Sequence, residues 1–430
     1  MRMLRWVVIM VSLLLWAGAV GAVERFPAPD FRSGHQMPKT EVSPVVWAGR
    51  QWVDVGVLVG ALAVGAWLVF GKRSRRGVLW LMVFSLVYFG FYRKGCICPV
   101  GAIGNVALSA GGNGYALPWA VALFFVLPLL FSLFYGRVFC AGVCALGAIQ
   151  DVVLLKPIHI PAWVEQMLGV FAYAYLGLAV MYAGVGSELI ICRYDPFVGF
   201  FRLSAPAHML FLGAVFLVIS MYVGRTYCRF VCPYGALLRM LSVFSKRRVS
   251  ITPKDCVDCR LCEQACPFGA IRYPTQKEKA GRKDNGKGQL VMAIVMLPVL
   301  VGVFAGMGYM SRGLLARRDL TIQLAERVWQ EEHGVVTDVT DVSRAFRGTG
   351  QTVDQLNQQA NGIRHRFAIG ASVFGAWVGL VVGSKLIALI IRRQRTGYTA
   401  DPAGCVACAR CYLSCPVEHD RLGQQELVVA

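Results

Sequence analysis

Asp255-Cys256-Val257-Asp258-Cys259-Arg260-Leu261-Cys262-Glu263-Gln264-Ala265-Cys266-Pro267 reads C-x2-C-x2-C-x3-C-P, and the same spacing returns at Cys405, Cys408, Cys411, Cys415 and Pro416. In such a run three thiolates two residues apart wrap one corner of an iron-sulfur cube, while the fourth, set against the proline, reaches the other cube. The spacing therefore predicts two 4Fe-4S clusters, one held by Cys256, Cys259, Cys262 and Cys415, the other by Cys405, Cys408, Cys411 and Cys266. Crossed ligation of this kind makes a small α+β ferredoxin unit out of two distant halves. A pair of zinc knuckles is the rival reading, but zinc sites usually carry two C-x2-C pairs well apart rather than three cysteines and a Cys-Pro.

Around these halves the chain is apolar. Its 430 residues are 56% hydrophobic with a mean hydropathy of +0.55, and it has repeated apolar runs long enough to cross a bilayer. The net charge of +20 would suit nucleic acid, yet the cations stand in short runs beside apolar segments: Lys72-Arg73-Ser74-Arg75-Arg76, Lys246-Arg247-Arg248 and Arg392-Arg393-Gln394-Arg395. Such runs are the cytoplasmic anchors of the positive-inside rule, so the partner is a membrane and not nucleic acid. Nor do 15 cysteines in so long a chain make a secreted disulfide scaffold, since the two quartets stand in ferredoxin spacing. A reducing compartment with metal is the better fit.

Taken in order, residues 1–22 carry Arg2 and Arg5, an apolar run and Val20-Gly21-Ala22, the pattern of a signal peptide or an uncleaved N-terminal anchor. Residues 23–50, proline-rich and polar, form an extracytoplasmic segment without a core. Residues 51–245 hold five spans, Trp52–Phe70, Val78–Tyr92, Leu117–Tyr135, Trp163–Tyr182 and Met209–Val223. The second and fifth fall short of the roughly 20 residues of an upright helix, with the cysteine turns beside them as partial caps, and the mature chain has six or seven spans if an extra short helix exists. The ferredoxin halves, 246–289 and 392–430, flank a transmembrane hairpin of 290–309 and 367–391 and so emerge on one basic, cytoplasmic face. Residues 310–366 form an extracytoplasmic helical cap on the pattern Leu320, Ile322, Leu324, Val328 and Trp329. Arg93, Lys94, Arg317 and Arg318 fall on the outer side against the charge rule.

A repeat lies inside the core. Gly136-Arg137-Val138-Phe139-Cys140-Ala141-Gly142-Val143-Cys144-Ala145-Leu146-Gly147-Ala148 is matched 88 positions on by Gly224-Arg225-Thr226-Tyr227-Cys228-Arg229-Phe230-Val231-Cys232-Pro233-Tyr234-Gly235-Ala236. Cys98-Pro99-Val100-Gly101 more weakly echoes Asp195-Pro196-Phe197-Val198-Gly199. Two helical hairpins in one orientation, related by an approximate twofold along the membrane normal, follow from this. That axis gathers Cys140, Cys144, Cys228 and Cys232 on the cytoplasmic side as a candidate metal site, with Cys96, Cys98 and Cys192 as a second set outside. Packing thiols or structural zinc inside, and a disulfide of Cys192 with Cys96 or Cys98 outside, are the bland alternatives.

Ferredoxin cubes store one electron each at low potential, and a hydrocarbon layer about 30 Å thick cannot be crossed in one hop. Cysteine sets in the membrane core stand where a relay, a further iron or iron-sulfur centre, is wanted. Haem is the usual alternative and needs facing histidines within spans, but His35, His159, His208, His333, His365 and His419 lie in loops or at span ends. Lys385 falls inside the last span near its basic end, where it is expected to snorkel. Acidic residues within spans are nearly absent after Asp54, which speaks against an ion-coupled transporter.

Repeated Gly-Arg-x-x-Cys-x3-Cys turns between spans, one of them Cys-Pro, joined to a ferredoxin pair resemble the NosR/NapH-like membrane polyferredoxins, a group that includes PceC-like proteins. The likeness covers most of residues 50–430. It implies an inner-membrane electron-transfer protein without a substrate site of its own, passing electrons between a quinol or cytoplasmic donor and an extracytoplasmic reductase or its maturation system. Larger members carry covalent FMN on a Ser/Thr-Gly-Ala-Thr type motif. That motif is absent here, so FMN enters only with a partner flavoprotein. The first cysteine pair also departs from the family pattern as Cys96-x-Cys98-Pro99, and Cys144 precedes Ala145 rather than proline. The alternative function is an iron-sulfur redox sensor acting in regulation or assembly without conducting electrons.

Overall fold

The structure is a computed structural model that describes residues 48–95, 98–112, 114–158, 160–202, 206–251, 256–257, 259–272, 286–390 and 398–421. The leader, most of the segment before residue 50, Cys96 and the basic run at 392–395 lie outside the described residues. Helix dominates, and among the described residues four helices are long and apolar enough to cross a membrane: Gly49–Gly71, Trp163–Val185, Leu290–Met310 and Val353–Ile390. Pro196–Arg202 and Ala207–Ser220 together supply a fifth apolar stretch. With no water in hydrocarbon to satisfy peptide groups, helices are the form such segments must take. The chain is a helical membrane protein.

The run read as Val78–Tyr92 begins at Arg75, where the Ser74 hydroxyl caps the Gly77 N–H, and its last part, Leu86–Tyr92, winds in wider π turns. Arg93 then follows, and its guanidinium lies 2.5 Å from Asp54, which also accepts from the Tyr88 hydroxyl. The aspartate thus neutralises the cation where it stands. Beyond it stands a short apolar helix, Pro99–Ala110, with proline in its first turn, where the missing N–H costs nothing. It packs against Trp119–Tyr135 and Ala162–Val185 within the core.

The hairpin of Gly286–Met310 and Val353–Ile390 closes on glycines. A Cβ placed on Gly375 would stand 2.1 Å from the Phe304 carbonyl oxygen, and one on Gly308 equally close to that of Ala371. With Gly379 and Gly383 this gives a small residue at every fourth position, the spacing that lets two membrane helices touch backbone to backbone. The second helix starts at Val353, well before the expected 367, because the amphipathic part of the outer segment runs into the span without a break. The cap comprises Leu320–Glu332 and Asp341–Gly348, begun by Asp319 and Thr340 as side-chain caps. Its buried stripe is Ile322, Ala325 and Val328, whereas Leu320 and Trp329 face out, so the expected pattern was right for only part of the helix. Lys385 does not snorkel to water: its ammonium donates to Gln166 Oε1 at 2.9 Å and lies over the Tyr173 ring.

Ile271–Arg272 pairs antiparallel with Thr399–Ala400, Ile271 opposite Ala400. This short ribbon ties the two cysteine-rich segments together across the intervening hairpin.

Candidate functional site

Each cysteine-rich segment folds by the same local device. Arg260 and Ala409, the residues after the second cysteine of each run, take φ of 61° and 62°, the left-handed region that swings the chain around. One-turn helices follow, Leu261–Gln264 and Arg410–Leu413, which carry Cys262 and Cys411 inward. Cys266-Pro267 and Cys415-Pro416 then lead away. As a result Cys256, Cys259, Cys262 and Cys415 line one hollow of about 370 Å3, and Cys266, Cys405, Cys408 and Cys411 line another of about 370 Å3.

The donor sets suit a cluster better than a lone ion. Among the described residues no three His, Cys, Asp or Glu side chains converge tightly enough for one metal ion, and each quartet stands around a space instead. Burial pushes the Cys262 thiol up to about 11 and the Cys405 thiol up to about 12, so these groups hold their protons unless a cation in the hollow displaces them. Backbone N–H groups already face sulfur: Ala270 N–H donates to Cys266 Sγ and Ala407 N–H to Cys405 Sγ, both at 3.4 Å.

In the membrane core, Cys140, Cys144, Cys228 and Cys232 come together: Cys228 lies within electrostatic range of Cys140 and Cys144, and Cys232 of all three. Cys98 joins them. It shares a hollow of about 420 Å3 with Cys144 and lies within range of Asp195. The division of Cys98 from Cys144 between two faces of the membrane is therefore corrected, and the reason is the helix Pro99–Ala110, which folds back into the core with Cys98 at its N-cap. Cys144 and Cys232 hold the same N-cap position on Ala145–Val152 and Pro233–Ser242. Cys192 is exposed and lies near Gly101, where an added Cβ would meet its sulfur at 3.4 Å; Cys96 is outside the described residues.

Several buried charged residues stand out only in the structure. Asp195 begins Pro196–Arg202, accepting from Phe197 N–H at 2.9 Å and from the Tyr227 hydroxyl at 3.0 Å. Asp151 is buried between Arg75, Arg225 and Arg410. Burial alone would raise its carboxyl, but the three guanidiniums, Arg225 foremost, hold it well below the usual carboxylate range. From this centre Arg75 reaches the Cys408 carbonyl at 3.1 Å, while Arg225 donates to the carbonyls of Cys140 and Ala141. Arg137 donates to Ala403 O, Arg229 to Phe268 O and the Ser242 hydroxyl to Pro402 O. The Gly-Arg pairs of the repeat were the available signal. Arg75 was absorbed into a run read only as an anchor.

A fourth hollow of about 320 Å3, lined by Cys140 and Cys228, is walled by Phe268 and Val406, which also wall the hollow of Cys266, Cys405, Cys408 and Cys411. Cysteines thus continue from the cysteine-rich unit into the membrane core.

A family model described as a 4Fe-4S binding domain matches residues 117–159 and 205–252, two stretches that start 88 residues apart, and another of that description matches 249–272. The first takes in the membrane repeat itself. Protein NirI of Paracoccus denitrificans is 29% identical over 252 residues, 50% of this chain and 35% of NirI. Regulatory protein NosR of Stutzerimonas stutzeri is 28% identical over 261 residues, 53% of this chain and 34% of NosR. Putative electron transport protein YccM of Escherichia coli is 24% identical over 197 residues, 42% of this chain and 54% of YccM. The chain thus spans about a third of NirI and of NosR and about half of YccM. No solved structure matches. With paired cysteine-rich halves, a cysteine-bearing membrane repeat and these relatives, the chain is similar to the NosR/NapH-like membrane polyferredoxins.

Proposed function

We propose that this protein carries electrons between its cysteine-rich unit and the membrane core, using two 4Fe-4S clusters and a further iron-sulfur centre in the membrane. Cys256, Cys259, Cys262 and Cys415 would hold the first cluster, and Cys405, Cys408, Cys411 and Cys266 the second. Cys140, Cys144, Cys228 and Cys232 would hold the membrane centre, with Cys98 beside it. Bound clusters supply one-electron storage. The chain's own part is to exclude water with Tyr398, Ile251 and Phe268, to direct N–H groups at sulfur, and to pin the unit against the core through Arg75, Arg137 and Arg229.

The observation that carries this reading is the wall of Phe268 and Val406 common to the second cysteine quartet and the hollow of Cys140 and Cys228. On the positive-inside argument the unit formed by residues 246–289 and 392–430 faces the cytoplasm of a bacterial inner membrane, with 310–366 outside. A quinol or cytoplasmic donor at one end and an extracytoplasmic redox protein or flavoprotein at the other complete the route. The likeness to NosR, a regulatory protein by name, favours a second reading, regulation through cluster redox state. Two measurements decide. Iron and acid-labile sulfide above the roughly eight iron of two cubes support the membrane centre. Transfer of electrons across sealed vesicles, from reduced clusters to an acceptor on the far side, supports conduction over sensing; clusters that reduce fully while the far acceptor stays oxidised overturn it.

A further inference from the structure

The hollow that holds Cys140 and Cys228 is also lined by Arg137, Arg225, Arg229 and Arg239, against a single carboxylate, Glu165. Asp151 answers one of these, Arg225, from behind. Four guanidiniums facing two carboxylates leave an excess of positive charge in a region walled on one side by Phe268, Gly404 and Val406 of the cysteine-rich unit. Arg137 is 3% exposed, and its Nε, like that of Arg239, is buried without a hydrogen-bond partner. Burying unanswered charge costs several kcal/mol per ion, so this site is built for an anion.

The repeat shows how the excess arises. Arg137 and Arg225 are mates at the 88-residue offset, as are Cys140 and Cys228. By the same offset Asp151 corresponds to Arg239. In one half an aspartate meets its partner's arginine, Asp151 with Arg225; in the other, Arg239 stands within electrostatic range of Arg137 and Arg229 instead. An ion pair in one repeat is replaced by neighbouring like charges in the other, and the unbalanced charge falls beside the two cysteines.

We propose that this arginine cage compensates a thiolate-ligated, anionic iron-sulfur centre at Cys140 and Cys228, holding its reduction potential above that of the adjoining cysteine-rich unit. The inference rests on the proposed membrane centre and adds a direction. A reduced centre carries one more negative charge than an oxidised one, and fixed cations favour it. Arg260 lines the hollow of the first ferredoxin quartet and Arg410, shared with Asp151, that of the second, so neither has a comparable excess. One electron therefore leaves the centre of Cys266, Cys405, Cys408 and Cys411, which is oxidised by one, and enters the membrane centre, which is reduced by one. A low-potential one-electron reductant on the ferredoxin side supplies it.

The test is an EPR-monitored redox titration of the purified full-length chain with dithionite, comparing wild type with Arg239→Gln, Arg239→Asp and Arg239→Lys. Wild type is expected to show a third iron-sulfur signal that reduces before the other two. Arg239→Gln should shift the electron's partition away from that centre about tenfold, a fall of about 59 mV. Arg239→Asp, which restores the ion pair of the other repeat, should shift it further, and Arg239→Lys should leave it in place, while the two ferredoxin signals stay put in all. A third signal whose potential ignores these changes, or that reduces after the ferredoxin signals, overturns the inference and leaves the membrane centre standing. Iron near eight per chain, with phosphorus copurifying as phosphate or lipid headgroup, overturns the membrane centre and the inference together.

Discussion

Arg75 donates to the backbone carbonyl of Cys408, 333 positions further along the chain, and shares Asp151 with Arg225 and Arg410. One buried carboxylate thus ties together the first basic loop, the membrane repeat and the second cysteine quartet. Asp151→Asn leaves three guanidiniums around a neutral amide. Loss of one partner from a buried ionic network costs about 3–5 kcal/mol. The expected outcome is release of the cysteine-rich unit from the core, seen as faster proteolysis between residues 246 and 289 and a lower thermal midpoint, with the helical hairpin still folded.

Gly375 and Gly308 face each other with no room for a methyl group. In Gly375→Ala the new carbon would meet the Phe304 carbonyl oxygen at 2.1 Å, and relief requires moving a backbone. Overpacking costs about 1–3 kcal/mol, and this site belongs at the upper end because no side chain can yield. Gly302→Ala, where nothing lies within 4 Å, is the control and should be neutral. Thermal unfolding in detergent reads the difference.

The cap is expected to respond to acid. Glu331 accepts from the Ser343 hydroxyl at 2.7 Å, and this bond, with Thr340 N–H, Arg347 and Arg327, holds its carboxyl below the ordinary value. A carboxyl depressed in the folded state contributes stability that is present above its unfolded pKa and is lost as pH falls through the folded value. Hydrogen exchange over Leu320–Gly348 should therefore accelerate as pH drops below the normal glutamate range. Glu331→Gln should exchange faster at neutral pH and lose that pH dependence.

Spacing made the two cysteine quartets and the long spans legible, because thiolate spacing and apolar length are local quantities. What it concealed was depth. Cys98-Pro99 follows Arg93 and Lys94, so it reads as a surface turn, and only the fold-back of Pro99–Ala110 brings it to Cys144. Charge misled in the same way: Arg75 sits in a run of cations yet is buried, and a linear reading cannot tell a lipid anchor from the partner of an aspartate 76 positions away. The four-residue spacing of Ala371, Gly375, Gly379 and Gly383 is open to view in the sequence, but apolar length alone does not say which partner helix it meets.

The crossed arrangement of the quartets can be tested residue by residue. Cys415 lines the hollow of Cys256, Cys259 and Cys262, although it lies in the other half of the sequence, and Cys266 lines that of Cys405, Cys408 and Cys411. If each cysteine served its own run, Cys415→Ser would disturb the cluster of Cys405. In the crossed arrangement it should remove the cluster at Cys256 or convert it to a three-iron form, lowering iron by about four or about one per chain, and leave the other signal unchanged. Cys266→Ser should do the reverse. The two single variants therefore give opposite EPR losses, and assignment comes from Arg410→Gln, which should shift only the signal whose hollow Arg410 lines. A Cys415→Ser protein that keeps an Arg410-insensitive cluster and loses the sensitive one would show that the ligands do not cross.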